Sequence, residues 1–75
     1  MFDRIRSIIC EQLGLSEDQV TESTEFIIDL GCDSLELIEL MIAVENEFGV
    51  NDIPEEKVAE FRTVGDLVKY VEENA

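Results

Sequence analysis

The sequence predicts an all-α domain, a small helical bundle of three main helices plus a short fourth, with a long first loop. Two observations carry this. Apolar residues recur every three or four positions in three separate stretches, which is the period of one helix face. Residues that start and stop helices bound those stretches: Asp33 with Glu36, Thr63 with Asp66, and Gly14 and Gly49 behind the first two.

The first helix is read from Phe2, Ile5, Ile9 and Leu13, with Ile8 beside them, and Gly14 ends it. Residues 15–33 form a long connection, punctuated by Ser16, Thr21, Ser23 and Thr24. Phe26, Ile27, Ile28 and Leu30 are too apolar to stand free in water, so this segment is expected to pack down over the helices. The clearest helix covers 34–48. Asp33 is a good N-cap, Glu36 completes a capping box, and Gly49 follows the last turn. Residues spaced at ~100° place Leu37, Met41, Val44 and Phe48 on a core stripe, flanked by Leu40 and Ile38. Pro54 opens a short helix over 55–60, with Val58 and Phe61 buried. Thr63 then caps a last helix whose core face is Val64, Leu67, Val68 and Val71.

Composition excludes much. Seventy-five residues with a net charge of −14 disfavour nucleic acid and anionic membrane surfaces, since phosphate contacts need Lys and Arg. The same charge favours basic protein partners reached by electrostatic steering, although it also serves plain solubility. Without histidine there is no Ser–His or Cys–His pair, no imidazole proton shuttle and little prospect of zinc. Cys10 and Cys32 form no CxxC and read as free thiols of a reducing cytosol. No basic-then-apolar leader and no apolar run near ~20 residues is apparent, so a cytoplasmic chain is expected.

The chemistry concentrates in Asp29-Leu30-Gly31-Cys32-Asp33-Ser34-Leu35. Gly31 permits a tight turn, and Ser34 falls at the first helical position, near solvent. By position alone Ser34 is an ordinary helix-start residue. It has no base to make it a nucleophile, so a functional role is that of a handle acted on by another enzyme. A phosphodiester on its hydroxyl would lie near the positive end of the helix dipole. On the same helix Leu35, Glu39, Ile42 and Asn46 form a stripe away from the core, with Glu36 and Glu47 to one side. Exposed apolar residues rimmed by acids suggest a docking surface, although single exposed apolar residues are common.

Other motifs are weak. Asp29 and Asp33 lack EF-hand spacing, so no metal site is assigned; loose divalent-ion binding by the acidic face stays open. Glu36 with Glu39, or Glu55 with Glu56, could pair for acid–base chemistry only in a cleft that shifts their protonation. Cys32 reads as a small half-buried turn residue with no base beside it.

These residues resemble the acyl carrier protein family. The resemblance is carried by Asp29-Leu30-Gly31-x-Asp33-Ser34-Leu35, Glu39-Leu40 and Glu45-x-Glu47-Phe48-Gly49. Ile53-Pro54-Glu55-Glu56 and Phe61-Arg62-Thr63-Val64 extend it, and Phe26 stands at the loop's aromatic position. It covers essentially the whole chain, 1–75, as a single acyl carrier domain. The resemblance implies that Ser34 receives 4′-phosphopantetheine from coenzyme A through a phosphopantetheinyl transferase. The arm's thiol then holds acyl groups as thioesters for the enzymes of fatty acid biosynthesis, and the chain itself is no enzyme. It implies partner contacts at Asp33, Leu35, Glu36, Glu39, Ile42, Glu45, Glu55 and Glu56, made to basic patches of synthases, reductases, dehydratases and acyltransferases. It implies an acyl pocket lined by Phe26, Ile38, Met41, Val44, Ile53 and Phe61, in a monomer. Cys32 stands where the family usually has alanine, Asn46 where an acid is common, and the Val50-Asn51-Asp52 connection is one residue longer than in some members. Carriers for D-alanine or for polyketide pathways stay open beside the fatty-acid reading.

One reading from another class competes: an acidic adaptor or inhibitor that binds basic proteins without a prosthetic group. It accounts for charge and exposed apolar residues, but not for Gly31, Asp33 and Ser34 meeting at the start of the acidic helix.

Overall fold

The computed structural model describes residues 1–50 and 52–74. Helix α1, Phe2–Leu13, buries Ile5 and Ile9 completely and ends at Gly14. A 3₁₀ turn follows at Glu17–Gln19, closed by a capping box between Ser16 and Gln19. Helix α2 runs Ser34–Phe48 and ends at Gly49. Helix α3 is the single short piece Glu55–Glu60 after Pro54, and α4 is Val64–Asn74. The length comparison made for the 50–52 connection turns on Asn51, which lies outside the described residues.

The core is one cluster drawn from α1, the long connection, α2 and α4, with no buried residue from α3 itself: it includes Ile5 and Ile9, Val20 and Phe26, Leu37, Leu40, Met41 and Val44, then Val64, Leu67, Val68 and Val71. Phe61, in the same cluster, meets the Tyr70 ring at 5.5 Å in a tilted arrangement. Arg4 pairs with Glu47, tying α1 to the last turn of α2, and its guanidinium lies 6.0 Å from the Phe48 ring.

The long connection packs down, as its apolar residues require, and backbone bonds to a distant segment hold it. The Phe26 N–H donates to the Arg62 carbonyl at 3.1 Å, and Val64 N–H donates to Thr24 at 2.9 Å. The Gly65 N–H donates to the Glu22 carbonyl at 2.8 Å, and a Cβ on Gly65 would stand 3.0 Å from that oxygen. Glycine therefore lets the loop approach α4 closely.

Two expectations are corrected. Ile27 and Ile28 do not pack down; they are 56% and 77% exposed. Residues 26–30 form a tight turn, with Asp29 N–H bonded to the Glu25 carbonyl and Gly31 N–H to Ile27. Such a turn sends successive side chains in different directions, and Phe26 takes the inward one. Ile38 is not part of the closed core either; it is 41% exposed, because the six-residue α3 covers only part of that side of α2.

The α4 start behaves as read. Asp66 N–H donates to Thr63 Oγ1 at 3.2 Å, while Asp66 Oδ2 accepts the backbone N–H of Thr63 and of Arg62. The Thr63 N–H bond is the largest cause holding the Asp66 carboxyl below its ordinary value of 3.8. A depressed folded value means the carboxylate stabilises the fold fully above 3.8 and loses that contribution as pH falls through the lower folded value. Asp66→Asn is therefore expected to lower the melting temperature at neutral pH, by less than the about 1 kcal/mol that loss of a helix cap costs, because Asp66 is exposed and its charge is screened. The gap between variant and wild type should close as melting is followed down below pH 3.8; a gap that persists there contradicts this account.

Candidate functional site

Local rules fix where Ser34 sits. Gly31, at φ +67°, reverses the chain in a conformation that side chains disfavour. Asp33 then caps α2: its Oδ1 accepts the Glu36 N–H at 2.8 Å, and its own N–H donates to Glu36 Oε1 at 3.1 Å. Cys32 is buried beneath this turn, and its N–H donates to the Phe26 carbonyl at 3.0 Å. Ser34 is consequently the first residue of a rigid, doubly capped helix, with its side chain exposed. The capping work belongs to Asp33, so the Ser34 hydroxyl is left free of that role.

A cleft begins at Ser34. It holds about 230 Å³ and is lined by Ser34, Leu37, Ile38, Glu55, Val58 and Ala59, between α2 and α3. A second hollow of about 240 Å³ shares Ile38, Glu55 and Val58 and extends along Met41, Ile42, Glu45 and Ile53. Of the residues expected to line an acyl pocket, Ile38, Met41 and Ile53 meet in this groove. Phe26, Val44 and Phe61 are instead buried in the core. Val58, expected to be buried, is half-buried and lines the groove with Ala59, because only the placement of α3 against α2 brings them there.

The outer stripe of α2 is open to solvent. Leu35 and Ile42 are 64% and 51% exposed, with Glu39 and Asn46 open beside them. Asp33, Glu55 and Glu56 are exposed, while Glu36 and Glu45 are half-buried. No Lys or Arg occurs between Arg6 and Lys57, so α2 carries no base of its own, and among the described residues Glu47, paired with Arg4, is its one acid in an ion pair.

Catalysis finds no support in this geometry. Burial pushes the Cys32 thiol up, and the Glu36 and Asp33 carboxylates push it further, which is opposite to what a reactive thiol needs. Burial likewise raises the Cys10 thiol, with Glu17 adding to it. Among the described residues, no cluster of acids or thiols converges to hold a metal ion, and no helix is long and apolar enough to cross a membrane.

Comparison with known proteins decides the family. Residues 3–71 match the family described as the phosphopantetheine attachment site. The chain is 47% identical over 74 residues to the acyl carrier proteins of Helicobacter pylori strains G27 and HPAG1, covering 99% of this chain and 94% of each relative. The acyl carrier protein of strain ATCC 700392 / 26695 matches at the same identity and coverage. The chain belongs to the acyl carrier protein family. An acyl carrier protein is a carrier rather than a catalyst, and its prosthetic group is phosphopantetheine.

The geometry around Ser34 fits such a group. Attachment is covalent, so the site needs access rather than affinity, and the exposed hydroxyl at the head of the cleft supplies it. The helix N-terminus favours a phosphodiester by about 0.3–1 kcal/mol. The Asp33 and Glu36 carboxylates oppose it, so the pocket would hold a free phosphate poorly and a tethered one adequately.

Proposed function

We propose that Ser34 is the attachment point of phosphopantetheine, and that residues 1–75 form one carrier domain. It delivers acyl intermediates to the enzymes of fatty acid biosynthesis and works as a cytoplasmic monomer. The observation that carries this reading is the exposed Ser34 hydroxyl at the capped start of α2, at the head of a groove and inside the matched region. When bound, the arm supplies a terminal thiol that holds an acyl group as a thioester. The protein's own residues orient and shelter. The rigid α2 start fixes where the arm leaves the surface. Leu37, Ile38, Val58 and Ala59 give the groove beside Ser34 an apolar wall for an alkyl chain.

Partners are proposed to dock on the acidic face: Asp33, Leu35, Glu36, Glu39, Ile42, Glu45, Glu55 and Glu56. Acids steer a basic patch, and the exposed Leu35 and Ile42 supply apolar contact. Glu39→Lys is expected to slow association with such a partner, leaving dissociation less affected. Raising salt should weaken wild-type binding, since exposed charges are screened within about 8 Å at physiological ionic strength. Binding that ignores salt, followed by stopped flow, would contradict the acidic-face reading.

The test of attachment is intact mass after incubation with coenzyme A and a phosphopantetheinyl transferase. A gain equal to the arm supports the carrier reading. No gain with several transferases favours the acidic adaptor, which needs no arm.

A further inference from the structure

Glu45 makes a contact that a purely partner-facing acid does not need. Its Oε2 accepts the backbone N–H of Ile53 at 2.6 Å, across eight residues of sequence. Ile53 is buried and lines the second hollow with Ile38, Met41 and Val58. Beside it Asp52 holds φ +37°, a left-handed conformation that costs energy in any residue with a side chain. The end of the α2–α3 connection is thus strained at Asp52, contributes Ile53 to the apolar lining, and is held at Ile53 by a charge-assisted bond of the stronger kind.

We infer that Glu45 is a positioning residue for the acyl groove: its bond to the Ile53 N–H latches the α2–α3 connection down, and loss of that bond admits an alkyl chain between α2 and α3. The cargo in this statement rests on the carrier reading above. Glu45 is half-buried on the segment that lacks any base. A partner's guanidinium that takes the Glu45 carboxylate removes the acceptor from Ile53, so docking and groove opening share one side chain.

The test uses the full chain without its arm, with amide exchange read by NMR and the groove probed by the neutral apolar dye Nile red. Glu45→Ala is expected to speed exchange at Ile53 by about tenfold or more, the loss of a hydrogen bond to a charged group. Nile red emission should rise with it, and adding Ile38→Ser should remove the rise. Glu45→Gln keeps an acceptor oxygen and should restore most of the protection. Glu47→Ala, which breaks the Arg4 pair on the same helix, should leave Ile53 exchange and dye signal at the wild-type level. Unchanged Ile53 exchange in Glu45→Ala overturns the latch, as does faster exchange with no added dye signal. Faster exchange at Leu40 and Val68 as well marks a global loss and also overturns it. Neither readout uses the arm, so this failure is separate from a failure of Ser34 to accept one.

Discussion

Ser34→Ala is expected to give no mass gain with coenzyme A and a transferase, under conditions where the wild-type chain gains the full arm. The effect is all-or-none, because the phosphodiester needs the Ser34 oxygen. It is also clean. Ser34 is exposed and is not the cap of α2, and alanine is a better helix former than serine. The melting temperature should therefore move by no more than a surface substitution allows, about 0.5 kcal/mol or less. The other serines are poor substitutes. Ser7 lies inside α1, and the Ser16 hydroxyl is held by Asp18 at 2.6 Å in the 3₁₀ turn. Ser23 lies within 3.2 Å of the Thr21 hydroxyl in a turn that begins no helix. A retained gain in Ser34→Ala would move the attachment elsewhere.

Phe26→Ala is expected to have the largest effect on stability. Phe26 is completely buried and is the largest side chain that is so. Truncating a buried Phe costs about 3–5 kcal/mol through lost transfer energy and the cavity left behind. A small domain has only about 5–15 kcal/mol in total, and one of this size lies toward the low end. With about 4–8 °C lost per kcal/mol, the melting temperature should fall by more than about 12 °C by circular dichroism. The loss also reaches the site. The Phe26 backbone bonds Arg62 on one side and Cys32 on the other, so the residue holds the turn that delivers Asp33 and Ser34. Modification of Ser34 in this variant should slow even where it remains folded. A fall of only a few degrees would mean that the loop contributes little to the core.

What was legible in the sequence is what depends on neighbours. Both ends of α2 follow from Asp33, Glu36 and Gly49, and each cap is a contact within four residues. Thr63 and Asp66 mark the start of α4 for the same reason. The exposure of Leu35 and Ile42 follows from helix period alone. The loop was harder. Its path is set by bonds to Arg62, Val64 and Gly65, far away in sequence, so spacing could not tell that Phe26 turns inward while Ile27 and Ile28 turn out. Ile38 was ambiguous because it borders the core stripe, and its exposure depends on how much of α2 the short α3 covers. The groove was only partly legible. Ile38, Met41 and Ile53 line it, whereas Phe26, Val44 and Phe61 lie behind it in the core. The Glu45 bond to Ile53 left no sequence signal, since no local motif joins positions eight residues apart.

The most direct measurement is the location of the arm on the modified wild-type chain. Trypsin should release residues 7–57 as one fragment, because no Lys or Arg falls between Arg6 and Lys57. That fragment contains Ser7, Ser16, Ser23 and Ser34. Fragmentation in the mass spectrometer assigns the added mass among them. The arm is expected on Ser34 alone. An arm on any other hydroxyl, or no arm after exposure to active transferases, would contradict the claim that the capped start of α2 is the carrier site.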